Sequence, residues 1–163
     1  MGCLSYLFPP RLGDAELVVV QPGGAQSGLR IPVRFILRSY RLSRQNISTE
    51  TPIAGLPGAP VQFVRGQPRL LSLALVFDAR AENRDVRESM QAIAGLMGVD
   101  QATHAPPLLR FEWKEFSLKC VLEGATEEIT SPYPDGRPSR ARLQVTFKEA
   151  RTLAELQDDL NLQ

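Results

Sequence analysis

Residues 69–78 read RLLSLALVFD, and the reading of the whole fold turns on them. Leu71, Leu73, Leu75 and Phe77 fall on one side of an extended chain; Leu70, Ser72, Ala74, Val76 and Asp78 fall on the other. Alternation of this length, with heavy residues on one face, predicts a β-strand buried on that face. Working outward, residues 140–149 (RARLQVTFKE) repeat the pattern. Ala141, Leu143, Val145 and Phe147 point inward, and Arg142, Gln144, Thr146 and Lys148 outward. In 108–114 (LLRFEWK), Leu109, Phe111 and Trp113 oppose Arg110, Glu112 and Lys114; 116–129 forms the next strand, with a bulge expected at Gly124. The turn Pro134-Asp135-Gly136 separates that strand from 140–149, because Pro fixes one dihedral angle and Gly supplies a positive one. Together these segments predict a β-meander with one polar face.

Upstream, 15–21 (AELVVVQ) reads as a first strand closed by Pro22-Gly23-Gly24, and 31–37 (IPVRFIL) as a second. Pro32 has no amide to donate, which favours a strand edge or a strand start there. Residues 39–47 are polar and basic, with Arg38, Arg41 and Arg44 at helix-like intervals of three; a solvated face or an inter-subunit contact accounts for them. Residues 51–68 (TPIAGLPGAPVQFVRGQP) are the least regular stretch, broken by prolines and glycines, and only 61–64 could pair as a short strand. A loop of this length in a small domain is functional or an interface arm. It lacks the Lys and Ser/Thr of a phosphate-binding loop, so it reads as a docking arm.

One internal helix is predicted over 84–97, with Asn83 as N-cap and Asp85 in the first turn, where the helix dipole favours an anion. Val86, Met90, Ile93 and Met97 make its apolar stripe, which packs on the sheet, and Gly98 ends it. A short terminal helix, 152–160, gathers Leu153, Leu156 and Leu160. The predicted class is mainly β (α+β): a small antiparallel barrel or sandwich with one packed helix.

At 163 residues the chain has the size of one domain, able to bury roughly two-thirds of its unfolded surface. Nineteen Lys and Arg against 18 Asp and Glu leave no net field to argue for nucleic acid or an anionic membrane. No apolar run is long enough to span a bilayer, and the start MGCLSYLFPPR lacks a charged leader. Met1-Gly2-Cys3 resembles an acylation site, but Tyr6 stands where the pattern wants Ser or Thr, so a plain N-terminus is expected. Cys3 and Cys120 have no metal spacing; Cys120 alternates with Leu118 and Leu122 and reads as a small buried hydrophobe, which fits synthesis in the cytoplasm.

Chemistry is hard to find. His104 is the single histidine and precedes two prolines; neighbours Glu127 and Glu128 point to opposite faces of a strand; Ser72 and Ser117 have no base at a recognisable spacing. No cofactor, metal site or catalytic residue is expected. Phe111 and Trp113 alternate with Arg110 and Lys114, as in a nucleic-acid-binding face, but core packing explains those aromatics equally well, and no nucleic acid is expected.

Three blocks carry a family resemblance: IPVRF…SYRLSRQN, then PIAGLPGAPVQFVRGQPRLLSLALVFD, then HAPPLLRFEW…CVLE with PDGRPSRARLQVTFKE. Over residues 31–149 the chain resembles the N-terminal domain of tube or baseplate-tube proteins of extracellular contractile injection systems, relatives of contractile phage tails. The resemblance implies a phage-tail-tube-like β-barrel or sandwich over 1–150 with a helical tail over 151–163, assembled as a hexameric ring. The LysM module that members commonly carry does not follow within this sequence. The implied role is a ring that joins the inner tube to the spike and baseplate and starts tube assembly. Its implied partners are further copies of itself, the inner tube protein, and the spike, hub and baseplate proteins of one phage tail-like particle. That particle would be built in a bacterial cytoplasm and kept there or released. On this reading Arg38, Arg41, Arg44, Ile53, Leu56, Pro57, Val61, Phe63 and Arg65 are the candidate subunit-interface residues. The alternatives are the repeating inner tube protein, a monomeric β-barrel binding module for a small ligand or glycan, and, more weakly, a cell-wall hydrolase.

Overall fold

In a computed structural model, the structure describes residues 11–20 and 26–161, without the side chains of 159–161. The decisive stretch forms β6 (Leu70–Asp78), with Leu71, Leu73 and Leu75 fully buried and Phe77 half-buried. Its neighbours follow from the same logic. Strands β1 (Leu12–Val19), β2 (Arg30–Ile36), β3 (Arg41–Ser43), β7 (Leu109–Trp113), β8 (Phe116–Pro132) and β9 (Pro138–Glu149) join it in one seven-stranded antiparallel sheet of order β2-β1-β7-β8-β9-β6-β3. The meander β7-β8-β9 is as the alternation predicts, and β9 pairs with β6 along the whole of β6.

The sheet rolls until β2 meets β6 at one register pair, Phe35 opposite Leu75. A ladder closed along its length does not form, so the barrel version of the expectation gives way to a curled sheet around one core. A barrel closes only when strand tilt and stagger match; here β3 takes the start of that β6 edge, from Leu70 to Ser72. Phe35 also centres the aromatic packing, with ring centroids 5.2 Å from Trp113, 6.0 Å from Phe111 and 6.3 Å from Tyr40. Edge-to-face geometry of this kind adds to the area buried. Across the ladder, Gly13 faces Phe35, and a Cβ on Gly13 would stand 2.8 Å from the Phe35 ring.

Strand limits move by a few residues. β1 begins at Leu12, ahead of the expected Ala15, and ends at Val19; Gln21, the Pro22-Gly23-Gly24 turn and Cys3 lie outside the described residues. Val19 N–H donates to Leu29 O, so hydrogen-bonded pairs alternate from there and Pro32 falls in a non-bonded pair of an edge strand, where its missing donor costs nothing. The bulge predicted at Gly124 is present, with Glu123 the extra residue between Leu122 and Gly124.

The helix is shorter than predicted. α1 spans Arg87–Ala94 and tightens into a 3₁₀ turn, Gly95–Met97. Val86, Met90 and Ile93 are buried as the stripe requires, but the tighter winding rotates Leu96 inward and Met97 out to solvent. Asn83 is not the N-cap: it sits in the left-handed region after a 3₁₀ turn, Arg80–Glu82, and Asp85 Oδ1 accepts from the Arg87 amide instead, at 2.9 Å. α2 (Leu153–Asn161) opens with a reciprocal cap, Thr152 N–H to Glu155 Oε2 at 2.7 Å and Glu155 N–H to Thr152 Oγ1 at 3.3 Å. Glu155 also pairs with Lys119 at 3.0 Å, tying α2 to β8, while Leu153 and Leu156 remain exposed.

Phe35→Ala is expected to lower unfolding free energy by about 3–5 kcal/mol. Gly13→Ala is expected to cost about 1–3 kcal/mol by overpacking against the same ring. Urea denaturation of both variants checks the pair, and a wild-type midpoint for Phe35→Ala would remove the aromatic contact from its central place.

Candidate assembly surface

The stretch expected to be a docking arm stands apart from the main sheet, with more order than its prolines suggest. Residues read as the end of the basic run form β4 (Asn46–Glu50), which pairs with β5 (Val61–Gly66) as a separate two-stranded sheet. The short strand expected at 61–64 thus reaches Gly66, and the helix-like spacing of Arg38, Arg41 and Arg44 is not a helix. Arg38 lies in a 3₁₀ turn (Leu37–Ser39), Arg41 opens β3, and Arg44 sits between β3 and β4. β4 and β5 take their main contacts from each other, and nearly every residue of both is exposed. The connecting loop 51–60 includes a turn closed by Leu56 N–H to Ile53 O, with Gly55 at φ +90°, a dihedral that suits glycine.

All the candidate residues are exposed. Val61 and Phe63 stand 65% open and share one face of the hairpin with Ser48 and Glu50; the bulge between Ile47 and Ser48 sets them opposite Arg65, Ile47 and Gln62. Ile53, Leu56 and Pro57 crown the loop. Val64, also exposed, completes the apolar set and escaped the sequence reading because it does not alternate with its neighbours. Large apolar side chains on an element that buries neither face mark an interaction surface.

The charges divide in a similar way. Arginines of the body pair with acids: Arg30 with Glu16, Arg34 with Asp14, Arg80 with Asp78, Arg87 with Asp85 and Arg137 with Asp135. Arg38, Arg41, Arg44 and Arg65 have no ion-pair partner among the described residues. The arm and its root therefore carry unneutralised positive charge on a chain of net charge +1.

The foot of the arm is clamped. Gln67 N–H donates to Gln45 O at 2.8 Å, closing its base. Two residues on, the buried carboxylate of Glu149 accepts from the Arg69 amide at 3.0 Å and from Arg69 Nη2 at 2.7 Å, while Glu149 N–H donates to Arg69 O. On the other side of the root, Ser39 Oγ accepts from the Ala74 amide at 2.8 Å, satisfying a β6 donor that no strand reaches. Burial alone would raise the Glu149 pKa; the Arg69 hydrogen bonds and the Arg69 and Arg151 charges outweigh it and bring it from 4.5 to about 2.

The residues considered for chemistry are scattered. His104 is exposed in the turn 100–105, Ser72 Oγ lies 3.4 Å from Thr146 Oγ1, and Glu127 and Glu128 face opposite sides of β8, opposite Leu143 and Arg142. Among the described residues no group of three His, Cys, Asp or Glu is placed to hold a metal, and no helix is long and apolar enough to cross a membrane. Cys120 is buried, its thiol pushed by burial up to about 12.

Over residues 21–158 the sequence matches the contractile injection system tube proteins, and the chain belongs to that family. No curated protein matches it. Among solved structures it is similar to the Dit protein of phage SPP1, described as a hub of the adsorption apparatus of phages that infect Gram-positive bacteria, with a TM-score of 0.43 at 12% identity. The likeness covers 85% of this chain and 49% of that one, so the chain spans about half the length of the hub protein.

Glu149→Gln tests the clamp. The folded pKa lies below the unfolded value, so the carboxylate contributes stability that is present above pH 4.5 and is lost as the pH falls toward 2. At pH 7 the variant is expected to be less stable by on the order of 2 kcal/mol. Its stability curve should meet the wild-type curve at the acid end of that range, as followed by denaturation at stepped pH; parallel curves would mean that the ion pair contributes nothing.

Proposed function

We propose that the chain is a structural ring component of a contractile injection particle, forming a hexameric ring that links the inner tube to the spike and baseplate and starts tube polymerisation. The observation that carries this reading is the β4–β5 arm: a hairpin rooted firmly in the body, exposing Ile53, Leu56, Val61 and Phe63 with Arg65, and taking its main contacts among the described residues from its own two strands. A lone two-stranded hairpin is marginal in water, so one that retains apolar side chains on its surface is suited to completion by another protein. Family membership supplies the context of a tube. The partners are other copies of the chain, the inner tube protein, and the spike, hub and baseplate proteins. The domain extends over 1–150, with 151–163 as a helical tail, and the particle assembles in the bacterial cytoplasm.

A second reading, the repeating inner tube subunit, is favoured by the family description itself. Stoichiometry separates the two, since a repeating subunit stacks into long filaments and an adaptor stops at one or a few rings. Light scattering with negative-stain microscopy on the purified protein is expected to give hexamer-sized rings. Deleting residues 53–60 is expected to abolish them while the far-ultraviolet circular dichroism of the body persists; intact rings from the deletion would sink the role of the arm.

A further inference from the structure

β8 is 17 residues long, but only in its first part, at Cys120, does it have a strand paired on both sides. β7 pairs with it from Phe116 to Cys120, and Pro106-Pro107 then removes the donors that could prolong that ladder. From Val121 onward β8 pairs with β9 alone, so one long edge of backbone donors and acceptors has no partner strand. Residues 126–130 are exposed without a break. On the core face of that stretch, Glu127 and Ile129 are exposed although the residues they oppose, Leu143 and Ala141, are buried.

The edge is acidic. Glu127 has no ion-pair partner among the described residues, Glu128 reaches Arg142 only at 3.8 Å, and Glu123 reaches Lys148 at 3.5 Å. On a chain with 19 basic and 18 acidic residues, the free arginines of the arm must be balanced by acid elsewhere on the same surface, and β8 holds a concentrated share of it. Glu50, on the arm itself, offsets only part of the arm's positive charge.

We propose that the arm of one copy lies along the unpaired β8 edge of a neighbouring copy, β5 extending the sheet there, with Arg44 and Arg65 against Glu127 and Glu128 and with Val61 and Phe63 covering Ile129. The pairing is between copies because of where its halves sit. The arm is rooted between β3 and β6, whereas the open edge belongs to β8, on the far side of β9. Donor and acceptor at different places on one body make a head-to-tail contact, the kind that closes into rings or runs on as filaments. The inference rests on the ring-forming reading for its setting but names a contact that reading leaves open.

The test joins two copies on a Cys3→Ser background, each with one engineered surface cysteine, Phe63→Cys on one and Ile129→Cys on the other; buried Cys120 stays silent. Mild oxidation is expected to link the two different copies and to link neither copy to itself. Glu127→Arg with Glu128→Arg on the acceptor copy should cut the yield about tenfold or more, as like charges meet. Adding Arg44→Glu and Arg65→Glu to the donor copy should restore it. All four sites are exposed, and unchanged thermal unfolding verifies that the variants fold. Wild-type rings without the crosslink, or a crosslink indifferent to the reversals, overturn the pairing and leave the ring reading intact. A crosslink that obeys the reversals in a protein that never forms rings upholds the pairing and overturns the ring.

Discussion

The Phe35 contact with Leu75 is the constraint on which the rest depends. Among the described residues it is the one register pair that joins β2 to β6, and it draws the β2 end of the strand order back onto the core. Phe35 can serve there because Gly13 leaves room for its ring and because Trp113, Phe111 and Tyr40 surround it. Beyond that pair β2 turns through residues 37–39 into β3, which pairs with the first residues of β6, Leu70–Ser72. A sheet closed along its whole length would have left no gap from which an arm could emerge.

The arm is therefore a consequence of incomplete closure. It leaves the body at the end of β3 and returns at β6, and Glu149 with Arg69 holds the returning foot in place. Rigidity at the root matters more than rigidity at the tip, because an arm ordered at its base gives up less freedom on meeting a partner. The hairpin itself remains loosely determined by its own chain, with neither face buried.

How far the sequence could be read follows from burial. β6, β7 and β9 were legible because each buries one face, and a buried face writes a period of two into the residues. β4 buries none, so NISTE carries no such period, and the arginine spacing beside it imitated a helix. Helix limits failed for a local reason: Asp85 competes with Asn83 for the first turn, and the 3₁₀ ending exchanges Leu96 for Met97, which no period of 3.6 anticipates. That Ile53, Leu56, Val61, Phe63 and Arg65 would be exposed was legible from the irregular, proline-broken stretch they sit in. Glu127 and Ile129 were not, because in sequence they continue a strand, and only the early end of β7 leaves them bare.

Near-neutrality illustrates the same limit. A balance of 19 to 18 excludes a large net field. It says nothing of how charge is distributed. Within the body, most arginines sit against acids at close range. Arg38, Arg41, Arg44 and Arg65 have no such partner among the described residues, nor has Glu127, and Glu128 is held only loosely. Exposed ion pairs contribute little to a folded chain, so leaving these groups unpaired costs the fold little. Opposite charges brought together when water is excluded between two surfaces count for more, above all in setting register and rejecting wrong partners. On the pairing proposed above, unmatched charges kept apart on an arm and a distant edge would set the register between copies at little cost to the fold of each.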